Sequence, residues 1–235
     1  MDFREVYARY PERYHALVSA EDVDGNLLHA LRDVLGARPG HVVDVGAGTG
    51  RVSRLLLELG AKVTAIEPEA AMLALAQHLL ADPAREGRIE FARADGRALP
   101  LADGVANAAV AGWVFGHLRY WEDQWQEQVR RALSEMDRVV ASGGDVIVIE
   151  TLGTARLQPG APNERLDEYY AWLEAEGFER RQFATDYGFA NAEAAATNLE
   201  FFFGAETAAC IRNNGWARVP EWTGLWARRK SSRTP

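Results

Sequence analysis

Residues 41–50 read His-Val-Val-Asp-Val-Gly-Ala-Gly-Thr-Gly: an apolar run ends in three glycines at alternate positions, and a helical pattern follows at once. No other stretch restricts the fold of the chain so tightly. It specifies a buried strand that enters a tight turn, because glycine alone accepts such backbone conformations and such close approach at no steric cost. The turn delivers a helix N-terminus whose free N–H groups suit an anionic part of a ligand. Bare backbone at Gly46, Gly48 and Gly50 is expected to give that ligand room.

The glycine spacing separates ligand classes. A dinucleotide fingerprint is G-x-G-x-x-G, and Arg51 stands where its third glycine belongs; a phosphate loop needs Gly-Lys-Ser or Gly-Lys-Thr, which is missing here.

Strand patterns at 41–45, 62–67, 88–94, 106–112, 145–150, 178–185 and 221–229 alternate with helical ones. After the glycines, Val52, Leu55, Leu56 and Leu59 share one helical face up to Gly60. Helices are also predicted from Pro68 through Leu80, ended by Asp82-Pro83, and over 122–140, 164–176 and 191–212. Residues 1–36 read as tyrosine-bearing helices, with Tyr7, Tyr10 and Tyr14 three and four apart. This alternation means a parallel sheet with right-handed crossovers. Ligands of such sheets bind beyond the carboxyl ends of the strands, where the strand order reverses.

Composition removes several alternatives. Lys and Arg number 26 against 34 Asp and Glu, a net charge of −8, so the basic face a nucleic acid requires is not expected. Arg228, Arg229, Lys230 and Arg233 read as a solvated tail. One cysteine, Cys210, allows no internal disulfide, and His15, His29, His41, His78 and His117 show no metal-ligand spacing. No apolar run reaches membrane-spanning length and no signal segment is visible, so a cytoplasmic protein without a membrane partner is expected.

The strand ends carry the chemistry. Glu67, nineteen residues after Gly48, closes the second strand, and its two oxygens suit the vicinal hydroxyls of a ribose. Asp95-Gly96 closes the third. His117 lies just past the fourth, in Gly112-Trp113-Val114-Phe115-Gly116-His117. Residues 98–107 read Ala-Leu-Pro-Leu-Ala-Asp-Gly-Val-Ala-Asn, and Ser142-Gly143-Gly144 precedes an apolar strand.

In this order the motifs resemble the class I S-adenosylmethionine-dependent methyltransferases over residues 40–153. Residues 98–107 are similar to that family's L-P-F-P-D-x-x-F-D stretch, with Ala106 and Asn107 in place of the usual phenylalanine and aspartate. Residues 135–149 are similar to its helix–L-x-P-G-G-x–strand segment, with Ala141 and Ser142 replacing Lys-Pro. The resemblance implies a Rossmann-like doubly wound α/β sheet of seven strands, ordered 3-2-1-4-5-7-6 with the last antiparallel and helices on both faces. It implies one domain over 1–235: a helical cap (1–36), a cofactor-binding core (40–153) and a substrate-side part (154–235).

The implied cofactor is S-adenosyl-L-methionine. Gly46, Ala47, Gly48, Thr49 and Gly50 would surround it, and Asp44 would order that turn and face the methionine amino end. Glu67 and Pro68 would meet the ribose, Asp95 and Gly96 the adenine, and Trp113 the adenine or methyl group. Tyr14 would lie over the cofactor. His117, a side chain that ordinarily titrates near neutrality, is the candidate base. The expected reaction is in-line methyl transfer to a small-molecule oxygen or nitrogen nucleophile. An NAD(P)-dependent reductase is the rival enzyme, opposed by Arg51 and by the lack of a Tyr-x-x-x-Lys pair; a non-catalytic cofactor-binding regulator is the other alternative. Trp121 and Trp125 at helical spacing, with Tyr169, Tyr170 and Trp172, are read as core, as an apolar pocket, or as a contact within a homodimer.

Overall fold

Residues 3–231 are described by a computed structural model. Strands β1 (His41–Val45), β2 (Lys62–Ile66), β3 (Ile89–Ala92), β4 (Ala106–Gly112), β5 (Val140–Thr154), β6 (Glu179–Ala184) and β9 (Glu221–Arg229) make one seven-stranded sheet, ordered β3-β2-β1-β4-β5-β9-β6. A separate two-stranded ribbon joins β7 (Tyr187–Gly188) to β8 (Arg218–Val219). Strands β1 to β5 run parallel, while β9 is antiparallel to both of its neighbours. Without the ribbon the order is the expected 3-2-1-4-5-7-6, and it reverses between β1 and β4.

The cap comprises α1 (Phe3–Arg9), α2 (Pro11–Ser19) and α3 (Asn26–Leu35). Helices α4 (Arg51–Glu58), α5 (Ala70–Leu79) and α6 (Ala81–Arg85) link the first three strands. Between β4 and β5 lie α7 (Phe115–Trp121) and α8 (Trp125–Val139); α9 (Glu164–Ala175), α10 (Ala192–Phe203) and α11 (Ala205–Asn214) follow. One sheet face packs Val43, Val45 and Val148 against Val129, Leu133 and Met136 of α8 and against Tyr169 and Leu173 of α9. The other packs Val42, Val63 and Ile147 against Leu27 and Leu31 of α3 and Leu55 and Leu56 of α4. Because both faces are covered, the central strands are apolar throughout rather than alternating. A third cluster gathers Leu17, Tyr187, Leu199, Ile211 and Val219.

Several local expectations are corrected. The helix expected over 122–140 is α8, which begins at Trp125; Trp121 ends the separate helix α7, so the two tryptophans do not share a helical face. Trp125 is buried edge-on to Tyr169, with ring centroids 6.0 Å apart. Tyr169 and Tyr170 are themselves fully buried, and the partly buried Trp172 packs against Trp125, so these rings pack in or against the core. Strand β5 begins at Val140 rather than Asp145, but its register with β4 is broken between Val140 and Asp145, where Gly143 takes a φ of +77 and a Cβ at Gly144 would lie 2.3 Å from the Asn107 carbonyl oxygen of β4. Pro83 falls within α6, early enough to forgo an N–H donor.

The basic cluster is no solvated tail. Arg228 bonds Asp137 at 2.6 Å and covers the Phe178 ring, and Lys230 Nζ donates to the carbonyls of Asp137 and Val140. Arg233 lies outside the described residues. The 98–107 turn is braced by Arg138, which donates to the carbonyls of Leu99 and Leu101 and pairs with Asp103 and Glu135. Asn107, standing for the usual aspartate, accepts the His41 N–H at 2.8 Å and so ties the turn to β1.

The N-cap of α10 is Asn191, whose side chain accepts from the Ala194 N–H at 2.9 Å. Asn191→Ala is expected to cost about 1 kcal/mol, lowering the melting temperature by about 2–4 °C, which thermal unfolding followed by circular dichroism measures. Among the described residues, no helix is long and apolar enough to cross a membrane.

Candidate functional site

Beyond the carboxyl ends of β1, β2 and β4, at the reversal in strand order, lies a cavity of about 380 Å³. The glycine turn forms its floor. The N–H groups of Gly46 and Ala47 both donate to the Ile66 carbonyl, at 2.8 and 2.9 Å, which locks the end of β1 onto β2. All three glycines have positive φ, but for different reasons. A Cβ at Gly46 would lie 2.4 Å from Val114, and one at Gly50 would lie 2.7 Å from Leu80. At Gly48 a Cβ would meet only the tip of Met72, at 3.5 Å. The expectation that all three clear room for a ligand is therefore corrected. Two are glycine because the protein's own side chains crowd them, and Gly48 is the one that turns open backbone to the cavity.

Glu67, 7% exposed, sits beside Gly48. Its Oε2 accepts the Gly48 N–H and its Oε1 the Glu69 N–H, each at 2.8 Å. Burial raises its pKa and these two donors oppose the rise. Each oxygen keeps lone pairs for a further donor. Pro68 and Glu69 continue this wall. At the mouth, Asp95 and Gly96 line the cavity, and Arg97 bonds both Asp95 oxygens, at 2.9 and 2.7 Å, holding that carboxyl below its usual range. Arg97 also reaches Glu122 at 3.1 Å.

The opposite wall starts where β4 ends. Trp113 has φ +56, a left-handed conformation costly for any residue with a Cβ, and its N–H donates to the Ile149 carbonyl at 2.6 Å. Helix α7 then presents His117, Leu118 and Trp121. Its first turn has no side-chain cap of its own; instead Glu150, at the end of the parallel run of β5, accepts the Gly116 N–H at 2.9 Å and the Tyr169 hydroxyl at 3.3 Å. Burial lifts Glu150 to about 7.

Over the top lie Arg4, Tyr7 and Tyr14 of the cap. Tyr7 and Tyr14 meet edge to face, and Tyr14 is pushed up to about 12, mainly by burial. The Tyr7 hydroxyl and His117 Nε2 are 2.8 Å apart, and the imidazole stacks on Trp121 with ring centroids 4.8 Å apart. Enclosed by rings, His117 is held down to about 4 by desolvation. It is uncharged at neutral pH, so the expected titration near neutrality is corrected.

The cavity thus brings together nine of the residues singled out in the sequence: Tyr14, Gly46, Gly48, Glu67, Pro68, Asp95, Gly96, Trp113 and His117. Asp44, Ala47, Thr49 and Gly50 do not line it. Asp44 is buried behind the turn, accepting the Ser53 hydroxyl of α4 at 2.5 Å, and burial lifts it to about 7. Thr49 turns to the other side, where its hydroxyl lies 3.0 Å from His15 Nδ1. Tyr7 and Glu150 were missed as site residues, while Trp121, read among the core or pocket aromatics, lines the cavity. Tyr7 stands seven residues before Tyr14, on the preceding helix, but nothing in the sequence couples it to a histidine 110 residues on.

Strand order and glycine turn are those of the Rossmann-like methyltransferase fold. Residues 43–148 match a family model described as a methyltransferase domain. A malonyl-[acyl-carrier protein] O-methyltransferase from Pectobacterium atrosepticum is 33% identical over 182 residues, covering 75% of this chain and 60% of that protein. The chain spans 42% of a second such relative, from Pseudescherichia vulneris. Over this domain the chain is similar to the class I S-adenosylmethionine-dependent methyltransferases. Among solved structures, a Haemonchus contortus phosphoethanolamine N-methyltransferase 2 in complex with S-adenosylmethionine aligns with a TM-score of 0.61 at 16% identity, over 99% of this chain and 60% of that one. The [4+2]-cyclase SpnF aligns at 0.57 and 20% identity, over 88% of this chain and 81% of that one. Both likenesses are in fold; fold does not carry function by itself.

Proposed function

We propose that the cavity binds S-adenosyl-L-methionine and that the protein transfers its methyl group to a small-molecule oxygen or nitrogen nucleophile. The observation that carries this reading is the open backbone at Gly48 beside the buried carboxylate of Glu67, facing a cavity of about 380 Å³ roofed by aromatic rings. When bound, the cofactor supplies a methyl carbon already made electrophilic by the sulfonium. Glu67 accepts from the ribose hydroxyls, Asp95 and Gly96 meet the adenine, and Trp113 and Tyr14 close the hollow against water. Rate enhancement then comes from alignment and dehydration. An acceptor that arrives protonated passes its proton to the Tyr7 oxygen as the Tyr7 hydroxyl proton moves to the neutral His117 Nε2, 2.8 Å away. An acceptor that is already anionic, such as a carboxylate, needs no base. The cap, core and C-terminal part act as one domain in this reading. Location in the cytoplasm and association as a homodimer belong to it as well.

Calorimetric titration with S-adenosylhomocysteine and, separately, NADH tests the reading. Saturable binding of the first without the second is expected, followed by turnover of S-adenosylmethionine with at least one member of a carboxylate, phenol and amine panel. Tyr7→Phe should slow transfer to phenols by about 10²-fold or more, the usual size of a general-base contribution, and leave carboxylates nearly unaffected. Binding of NADH alone would overturn the assignment.

A further inference from the structure

Arg51, the residue in the place of a third glycine, has a guanidinium 3.8 Å from the centroid of the Trp113 ring. The same guanidinium is held by Glu21, with Nη1 3.0 Å from Oε2 and Nη2 2.8 Å from Oε1. Both side chains are shielded, at 15% and 3% exposure. Glu21 belongs to the cap, in the loop between α2 and α3, and its position is fixed from both sides. The Gly188 N–H donates to the Ala20 carbonyl at 2.9 Å, and the Asp22 N–H donates to the Thr185 carbonyl at 3.1 Å. A chain of contacts therefore runs from the C-terminal part, through the cap, to the cavity wall. Trp113 needs such support, because a left-handed non-glycine residue persists only where its surroundings over-determine it.

We propose that Arg51 and Glu21 are positioning residues, a two-sided clamp that holds the Trp113 indole as a wall of the cofactor cavity and makes its shape depend on docking of the cap. Planarity is essential to the arrangement, since one face of the fork stacks on the indole while its edge meets the carboxylate; lysine supplies charge without either. The inference rests on the reading that this cavity takes an adenosyl cofactor, but the clamp itself can be tested without ligand.

The full chain is labelled with 5-fluorotryptophan, and the Trp113 resonance is identified by its loss in Trp113→Leu. In the ligand-free protein, Arg51→Lys and Glu21→Gln, mild enough to keep the fold, are expected to shift and broaden that resonance; Arg51→Ala should do so further. An unchanged Trp113 resonance in all three overturns the clamp. Titration with S-adenosylhomocysteine then separates action through Trp113 from general loosening. Arg51→Ala and Trp113→Leu should each raise the Kd about tenfold, the size of a shielded cation–π contact. The double variant should bind no more weakly than Trp113→Leu alone; a multiplied loss of about a hundredfold overturns the proposal. Absence of binding in the unmodified protein would instead sink the functional reading, leaving the fluorine resonance to decide the clamp.

Discussion

Raising the pH from 6.5 to 9 is expected to destabilise this protein by about 3 kcal/mol and to lower its melting temperature by roughly 10 °C. Three carboxylates carry the effect. Asp44 and Glu150 are lifted by burial to about 7 and Glu221 to about 8, against ordinary values near 4. Each native carboxyl thus keeps its proton over a range where the unfolded chain has released it. The folded state binds more protons than the unfolded, so stability falls as pH rises through the native pKa values. His117 opposes this only slightly above pH 6.5, because burial holds the native imidazole near 4 while the unfolded one, half charged at 6.5, soon loses its proton. Below 6.5 it opposes more strongly, since the unfolded imidazole then charges and the native one does not. Carboxylates held low by arginine, Asp95 and Glu135, lose their contribution only in stronger acid. Differential scanning fluorimetry across the window measures the slope. Asp44→Asn, Glu150→Gln and Glu221→Gln should each flatten it, and a melting temperature level from 6.5 to 9 in the unmodified protein would show that these groups ionise as readily as in water.

Glu67→Ala is expected to weaken S-adenosylhomocysteine binding by about 1–3 kcal/mol, the cost of leaving buried polar partners unmatched. The substitution removes the acceptor of the Gly48 and Glu69 N–H groups and the carboxylate that faces the cavity. Asp44→Asn should behave differently. Asp44 reaches Ser53 rather than the cavity, so its loss falls mainly on stability and its alkaline slope, with a smaller change in affinity. Calorimetry on both variants separates wall from brace. Equal losses of affinity would place Asp44 at the ligand after all, and unchanged affinity in Glu67→Ala would remove the cofactor from this cavity.

Much of the site was legible because strand ends are legible. Gly48, Glu67, Asp95 and His117 each follow an apolar run, and parallel strands put such ends on one edge of the sheet. The roof was not. Tyr7 reaches His117, and Glu21 reaches the Arg51 that stacks on Trp113, only after the cap folds back across distant segments. Glu150 looked like the polar end of a strand, and its work at the start of α7 depends on where β5 lies beside β4.

Local pattern alone determined the alternation of strand and helix, the glycine turn and the acidic strand ends, because hydrophobic period and backbone sterics act within a few residues of one another. Tertiary structure alone decided which glycines face a ligand, that His117 is uncharged at neutral pH, and that Asp44 braces rather than lines the cavity. Those properties depend on which groups from remote parts of the chain exclude water or fill space around a residue, and neighbours in sequence carry no record of that.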